Sequence, residues 1–273
     1  MKTGFIGVGN MGGAILEGYA ASEQGAKDRI MIYDKNRALC EKRLKNISRG
    51  SMTDHLSDVV KASEVIVLGV KPQVMEEVLQ EMAKCYQPDK LVISMAAGIS
   101  LSYLRHYLGP KARIIRIMPN TPALVGEGMI AMCPGNDIPL ADLMKADAIL
   151  KSVGKVEEIP EKLMDCVIGV SGSSPAYTFM YIQALTEAAA ANGMTRDQAR
   201  VFAAQSVLGA AKLVLESKDS LEQLRINVCS PGGTTIEAVK KLEKNGFMDD
   251  VKEGFQAAFE RSKELTRERE KGV

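Results

Sequence analysis

Short, nearly unbroken apolar runs recur through the first 160 residues, at 3–8, 30–33, 65–70, 91–95, 114–118 and 129–132, with helical patterns between them. Runs of this length without polar alternation predict strands covered on both faces, and their alternation with helices predicts an α/β domain. A last short run at 156–159 meets Pro160-Glu161-Lys162, after which nothing resembles a strand. The boundary is therefore expected after residue 160, with a Rossmann-type doubly wound sheet over 1–160 and an all-helical dimerisation domain over 161–273.

From residue 162 onward only Pro175 and Pro231 occur, each at a predicted helix start, so no proline breaks a helix interior. Ser174 and Pro175 suit N-cap and N1 of a helix that stops at Asn192-Gly193. Thr195 with Gln198, and Ser220 with Gln223, read as capping boxes opening two more helices. Phe255, Phe259, Ser262 and Leu265 line one side of a last helix, whose charged end Arg267-Glu268-Arg269-Glu270-Lys271 is expected to be solvated.

The helix after Pro175 is apolar almost all round, with Phe179, Ile182, Ala184, Leu185 and alanines 188–191. Such a helix calls for burial on several sides, which a domain of roughly 110 residues barely supplies alone. An intertwined homodimer is expected, with this helix and Ala203, Ala204, Ala210 and Ala211 in close approach. The stretch 166–186 has no Asp, Glu, Lys or Arg. Its polar segment Ser171-Gly172-Ser173-Ser174-Pro175 nevertheless predicts a buried soluble helix rather than a membrane span.

Composition narrows the partners. Thirty-five Lys and Arg nearly cancel 34 Asp and Glu over 273 residues that are 46% hydrophobic, so a globular protein with a small-molecule partner is expected, without nucleic acid or membrane. Cys40, Cys85, Cys133, Cys166 and Cys229 are scattered, odd in number and lack CxxC spacing. Reduced thiols and a cytoplasmic setting follow, and no zinc or other metal site is expected. The amino-terminal residues show no n-region or h-region, so no export is expected.

Gly7-Val8-Gly9-Asn10-Met11-Gly12 is a GxGxxG placed between the first strand and a helix. The first glycine permits a tight turn, the second lets backbone approach a diphosphate, and the third allows close helix–strand packing. Asp34 ends the second strand about twenty residues on, where a carboxylate takes ribose hydroxyls. Lys35 and Arg37 follow and suit a 2′-phosphate, so NADH and NADPH both stand as cofactors. Val70-Lys71-Pro72-Gln73 ends another strand at the ligand-binding edge, where Lys71 reads equally as a phosphate or ribose neighbour and as a solvated loop lysine. Residues 94–98 follow a strand at the same edge, and packing alone explains them. Met118-Pro119-Asn120-Thr121-Pro122 looks more like a ligand wall.

Ser230-Pro231-Gly232-Gly233-Thr234-Thr235 reads as a helix N-terminus with little side-chain bulk, with Thr234 as N-cap and Glu237 completing a capping box. Free amides and the helix dipole there suit a carboxylate or phosphate, though a plain glycine turn before a helix gives the same pattern.

With these blocks assembled, the chain resembles the pyrroline-5-carboxylate reductases over nearly its whole length. The GxGxxG, Val70-Lys71-Pro72-Gln73, residues 118–123, residues 171–177, the stretch 203–211 and the loop 230–235 carry the resemblance. Ser174 departs from it, since many members have glycine there. The resemblance implies reduction of 1-pyrroline-5-carboxylate to L-proline, the last step of proline biosynthesis. It implies that backbone amides of Ser230, Gly232, Gly233, Thr234 and Thr235 hold the substrate carboxylate and that the Thr235 hydroxyl meets the ring nitrogen. It also places Asn227 near the nicotinamide ribose and Asn120 in the block flanking the nicotinamide, and leaves room for a ring of dimers. A cyclic imine takes its proton from water, so His55 and His106 are expected as surface or packing residues.

A β-hydroxyacid dehydrogenase shares the GxGxxG domain but needs a catalytic lysine in its second domain, and 167–193 holds none. A dinucleotide-sensing regulator needs no second anion loop.

Overall fold

The computed structural model describes residues 1–270. Its sheet strands are β1 (Lys2–Ile6), β2 (Arg29–Tyr33), β3 (Gly50–Met52), β4 (Val65–Leu68), β5 (Leu91–Ser94), β6 (Arg113–Met118), β7 (Gly128–Pro134) and β8 (Gly154–Glu158). Between them run α1 (Asn10–Ala21), α2 (Arg37–Leu44), α3 (Leu56–Ala62), α4 (Met75–Ala83), α5 (Leu101–Leu108) and α6 (Leu140–Leu150). The chain continues through α7 (Met164–Val167), α8 (Ser174–Ala191), α9 (Arg196–Glu216), α10 (Leu221–Val228), α11 (Thr234–Lys244) and α12 (Phe247–Glu270).

The strands form one sheet in the order β3-β2-β1-β4-β5-β6-β7-β8, parallel throughout except where β7 runs antiparallel to β6. Strand order reverses between β1 and β4, the point at which doubly wound folds open a crevice for a ligand. Successive side chains leave opposite faces, so a four-residue run such as β4 serves two cores at once. Ile66 and Leu68 join Val59, Leu79 and Leu104 on one face, while Val65 and Val67 join Ile15, Leu16 and Ile149 on the other. Every residue of β4 is buried, which is why no polar position interrupts it.

Six expected strands appear, with ends shifted by one or two residues, and the run at 156–159 becomes β8. β3 is the strand that the pattern misses. Its three residues pair only with β2 at the sheet margin and include neither a β-branched residue nor an aromatic one.

The chain forms two compact units: Met1–Ser173 together with the chain from Ala257 onward, and Ser174–Gln256. The division differs from the expected boundary after residue 160. Met164 packs in the sheet's core, and a π turn at Ile168–Gly172 leads into α8 without a separate N-cap at Ser174. The end of α12 also belongs with the sheet, where the buried Ser262 hydroxyl donates to Asp165 at 2.5 Å. Arg269 donates to the Ala97 carbonyl, so the charged end is not merely solvated; Lys271 lies outside the described residues.

In the second unit, α8 stops as expected. Gly193 takes φ +99°, with Met194 N–H on the Ala189 carbonyl and Gly193 N–H on that of Ala190, a Schellman closure. Thr195 and Gln198 form the expected capping box of α9. Ser220 caps α10, but the Gln223 amide turns to Asn227, so only half of that box forms. Among the described residues of this unit only Ala199 and Ala203 are fully buried, while Phe179, Met180, Val201 and Phe202 are each more than 60% exposed. Such an apolar surface marks an interaction face. No described helix is long and apolar enough to cross a membrane.

Candidate functional site: a dinucleotide cradle and an anion loop

The turn after β1 needs three glycines for three reasons. Gly7 has φ +87°, and a methyl there would lie 2.7 Å from the Gly69 and Val70 backbone. A methyl on Gly12 would lie 2.3 Å from the Gly7 carbonyl oxygen. Around Gly9 a methyl would meet nothing within 4 Å, which leaves open space for a ligand against the backbone. Gly9 is also the N-cap of α1 and brings no side-chain cap, so the first-turn amides of Asn10, Met11 and Gly12 are without intrahelical acceptors. Bare amides facing open space at a positive helix end fit a diphosphate.

Asp34 stands at the end of β2 as expected. Its Oδ2 accepts the Val8 N–H and its Oδ1 the Asn36 N–H, both at 2.9 Å. Each oxygen keeps a lone pair for a ribose hydroxyl while bracing the loop. Lys35 donates to both oxygens of Glu77 at 3.0 Å, and Arg37 pairs with Asp54 and, at 3.4 Å, with Glu41. Those hydrogen bonds raise the pKa of both cations. A cleft of about 220 Å³ opens among Tyr33, Asp34, Lys35, Arg37, Thr53 and Asp54, beside the position where a ribose would sit.

Val70 packs against Gly7, Lys71 is exposed, and Pro72 opens a short 3-10 turn at the same sheet edge. Asn120 is 8% exposed, with Nδ2 donating to the Ser171 carbonyl at 3.1 Å and Oδ1 accepting from Met129 N–H at 2.8 Å. Its amide braces the strand-end loop on which the cofactor role was expected. His55 and His106 are exposed, and His106 sits edge-on to Tyr107 at 5.0 Å. Burial raises the thiol pKa of Cys40, Cys85 and Cys133, so none is an activated nucleophile.

The anion loop lies in the helical unit. Ser230-Pro231-Gly232-Gly233 is a type II turn: Pro231 takes the position it favours, Gly232 has φ +69°, and Gly233 N–H closes on the Ser230 carbonyl at 3.0 Å. The turn uses the Gly233 amide, so that donor is not free. It also delivers Gly233, extended at φ −80° and ψ 170°, as the N-cap of α11. This corrects the expected capping box. Thr234 is the first helical residue, no side chain caps the helix, and Glu237 pairs with Lys240 at 2.9 Å. The correction strengthens the anion site, because the amides of Thr234, Thr235 and Ile236 are left uncapped. Asn227, one turn upstream on α10, is exposed and accepts from Gln223 at 2.7 Å.

Three supporting residues escaped the sequence. Asn36 caps α2, Asp54 meets Arg37, and Arg43 reaches back to the glycine turn. Asn36 is visible in retrospect as an N-cap residue type. The other two act through tertiary contacts that leave no local pattern.

A glycine cradle at the switch point of a doubly wound sheet defines a dinucleotide-binding protein. Residues 2–98 match the family model for NADP oxidoreductase, coenzyme F420-dependent, and residues 161–265 match that for pyrroline-5-carboxylate reductase dimerisation. The pyrroline-5-carboxylate reductase of Escherichia coli strain K12 is 43% identical, over 97% of this chain and 98% of its own length. That of Synechocystis is 41% identical over 97% and 98%. The solved pyrroline carboxylate reductase of Plasmodium falciparum with NADP bound superposes with TM-score 0.87 at 31% identity, covering 97% of this chain and 98% of its own. The Coxiella burnetii reductase gives 0.88 at 33% identity, with the same coverage. The chain belongs to the pyrroline-5-carboxylate reductase family.

Proposed function

We propose that the chain reduces 1-pyrroline-5-carboxylate to L-proline with NADH or NADPH, closing proline biosynthesis. The observation that carries this is the bare start of α11, a carboxylate-sized set of amides in a chain that also holds a dinucleotide cradle. Reduced nicotinamide, when bound, supplies the hydride. The amides of Thr234, Thr235 and Ile236 hold the substrate carboxylate, with the helix dipole behind them. The Thr235 hydroxyl orients the ring nitrogen, which carries a proton from water and so makes the imine carbon electrophilic. Hydride adds to that carbon and the product is a secondary amine, so the protein's work is positioning and fixed dipoles. In the cradle, Gly9, Asn10 and Met11 face the diphosphate, Asp34 and Lys35 the adenosine ribose, and Val70, Lys71 and Pro72 the same edge. Asn120 braces the nicotinamide side, and Asn227 serves the nicotinamide ribose.

An absorbance assay of reduced-nicotinamide loss with pyrroline-5-carboxylate tests the reading, with 3-hydroxy acids run in the oxidative direction as the contrast. Turnover of the hydroxy acids alone would overturn it. Thr235→Ala is expected to keep the fold and to lower kcat/KM by about 1 to 3 kcal/mol, the scale of a lost buried hydrogen bond. Unchanged kinetics would remove Thr235 from its role.

We also read the helical unit as the homodimer contact, which leaves room for a larger ring of dimers. Phe179 and Phe202, 63% and 67% exposed, lie on faces that a second copy would cover. Light scattering at micromolar concentration should give a dimer or a multiple of it, and Phe202→Asp should shift the mass toward the monomer. A monomeric native protein would refute the contact. The five free cysteines suit the cytoplasm.

A further inference from the structure

Val8, the residue between the first two glycines of the cradle, is held through both of its backbone polar groups. Val8 N–H donates to Asp34 Oδ2 at 2.9 Å, and the Val8 carbonyl accepts from Arg43 Nε at 3.2 Å. The same guanidinium donates through Nη2 to the Gly9 carbonyl at 3.1 Å and through Nη1 to Glu17 at 2.9 Å. All three nitrogens are thus used, and the side chain is only 14% exposed. Arg43 comes from the last turn of α2, far from the glycine motif in sequence.

Gly13 explains how it gets there. This glycine is outside the GxGxxG and sits in a helix interior, where alanine is the more favourable residue. A methyl on Gly13 would lie 2.3 Å from Arg43 Cζ and 2.4 Å from Nε. Glycine at this position is the space that the guanidinium occupies.

A trans peptide points its carbonyl and the next N–H in opposite directions. Holding the Val8 and Gly9 carbonyls on one side therefore aims the Gly9 and Asn10 amides to the other. We propose that Arg43 is a positioning residue for the dinucleotide: with Asp34 as counterpart, it sets the diphosphate-binding amides before the cofactor arrives. Preorganisation of this kind lowers the ordering cost of binding. The inference rests on the dinucleotide reading of the cradle.

Fluorescence titration of the protein with NADH and with NADPH tests it without turnover. Arg43→Met keeps the length and loses every donor. It is expected to raise Kd about ten-fold for both coenzymes by a similar factor, the scale of a charge-assisted hydrogen bond. The KM for the imine and kcat at saturating coenzyme should hold. Arg43→Lys should not restore binding, because one ammonium cannot span both carbonyls in the planar geometry of a guanidinium. Gly13→Ala should weaken binding in the native background and have no effect in an Arg43→Ala background, a coupling that general loss of stability would not produce. A Kd for Arg43→Met within about two-fold of native, or an equal effect of Gly13→Ala in both backgrounds, would overturn the proposal. Should Arg43→Met fail to fold, Gly13→Ala in the native background decides by the same titration: weakened binding supports the proposal and native affinity refutes it. Native protein that binds neither coenzyme would remove the dinucleotide reading itself, and this inference with it.

Discussion

Alanine at position 12 should leave the protein unable to hold a nicotinamide dinucleotide. Its methyl would stand 2.3 Å from the Gly7 carbonyl oxygen and 3.4 Å from the Gly69 Cα, so α1 must move away from the turn after β1 and from the end of β4. Backbone offers no rotamer that relieves such a contact. The expected loss is about a hundred-fold in affinity for NADH and NADPH alike, roughly 3 kcal/mol, with a lower Tm. Gly9→Ala makes the instructive contrast. The added methyl meets nothing in the protein, so Tm should stay near native while affinity falls by about ten-fold, because the methyl takes the space that a diphosphate would approach. Thermal melts and coenzyme titrations of both variants separate the two glycines. Native affinity in Gly12→Ala would show that close helix–turn packing is dispensable for the cofactor.

The second large effect concerns stability. Asp28 is 2% exposed and receives the Met1 ammonium at 2.6 Å, the Tyr19 hydroxyl and the Gln24 amide at 3.1 Å. Burial by itself would raise the Asp28 pKa, but the hydrogen bonds from Met1, Tyr19 and Gln24 outweigh it and hold the carboxyl below its ordinary value. Tyr19 is fully buried; desolvation, then Asp28, pushes its pKa well up, so the phenol remains a neutral donor. Asp28→Ala leaves that phenol and the ammonium without their acceptor. A loss on the order of 3 kcal/mol is expected by denaturant unfolding at neutral pH. A lowered folded-state pKa contributes stability above the unfolded value of about 4, and that contribution disappears as pH falls through the folded value. The native protein should therefore lose stability steeply below about pH 4, and the variant less so. Parallel curves for the two proteins would show that the charge on Asp28 contributes nothing.

Much of this molecule is legible in the sequence, for reasons that differ from place to place. The run that becomes β4 announces itself because both faces of that strand are covered, leaving no position for a polar residue, and β5 follows the same pattern up to its last residue, the buried Ser94. Gly7 and Gly12 are legible because backbone geometry admits nothing else there. At α11 the local signal misled. Thr234 and Glu237 have capping-box spacing, yet the type II turn puts Gly233 in the extended position ahead of the helix and Glu237 goes to Lys240. Arg43 could not be foreseen, since its meaning depends on α2 lying across the glycine turn. Asn120 is legible only as part of a proline-fixed loop after β6; its amide ties that loop to Met129 and Ser171 through contacts that leave no local pattern.

Both margins of the eight-stranded sheet are blunted. On one side β3 is only three residues long, and on the other β8 puts Lys155, Glu157 and Glu158 into water. Neither rim offers a long greasy ribbon on which a neighbouring molecule's strand could zip, so crowding should not drive edge-to-edge aggregation through this sheet.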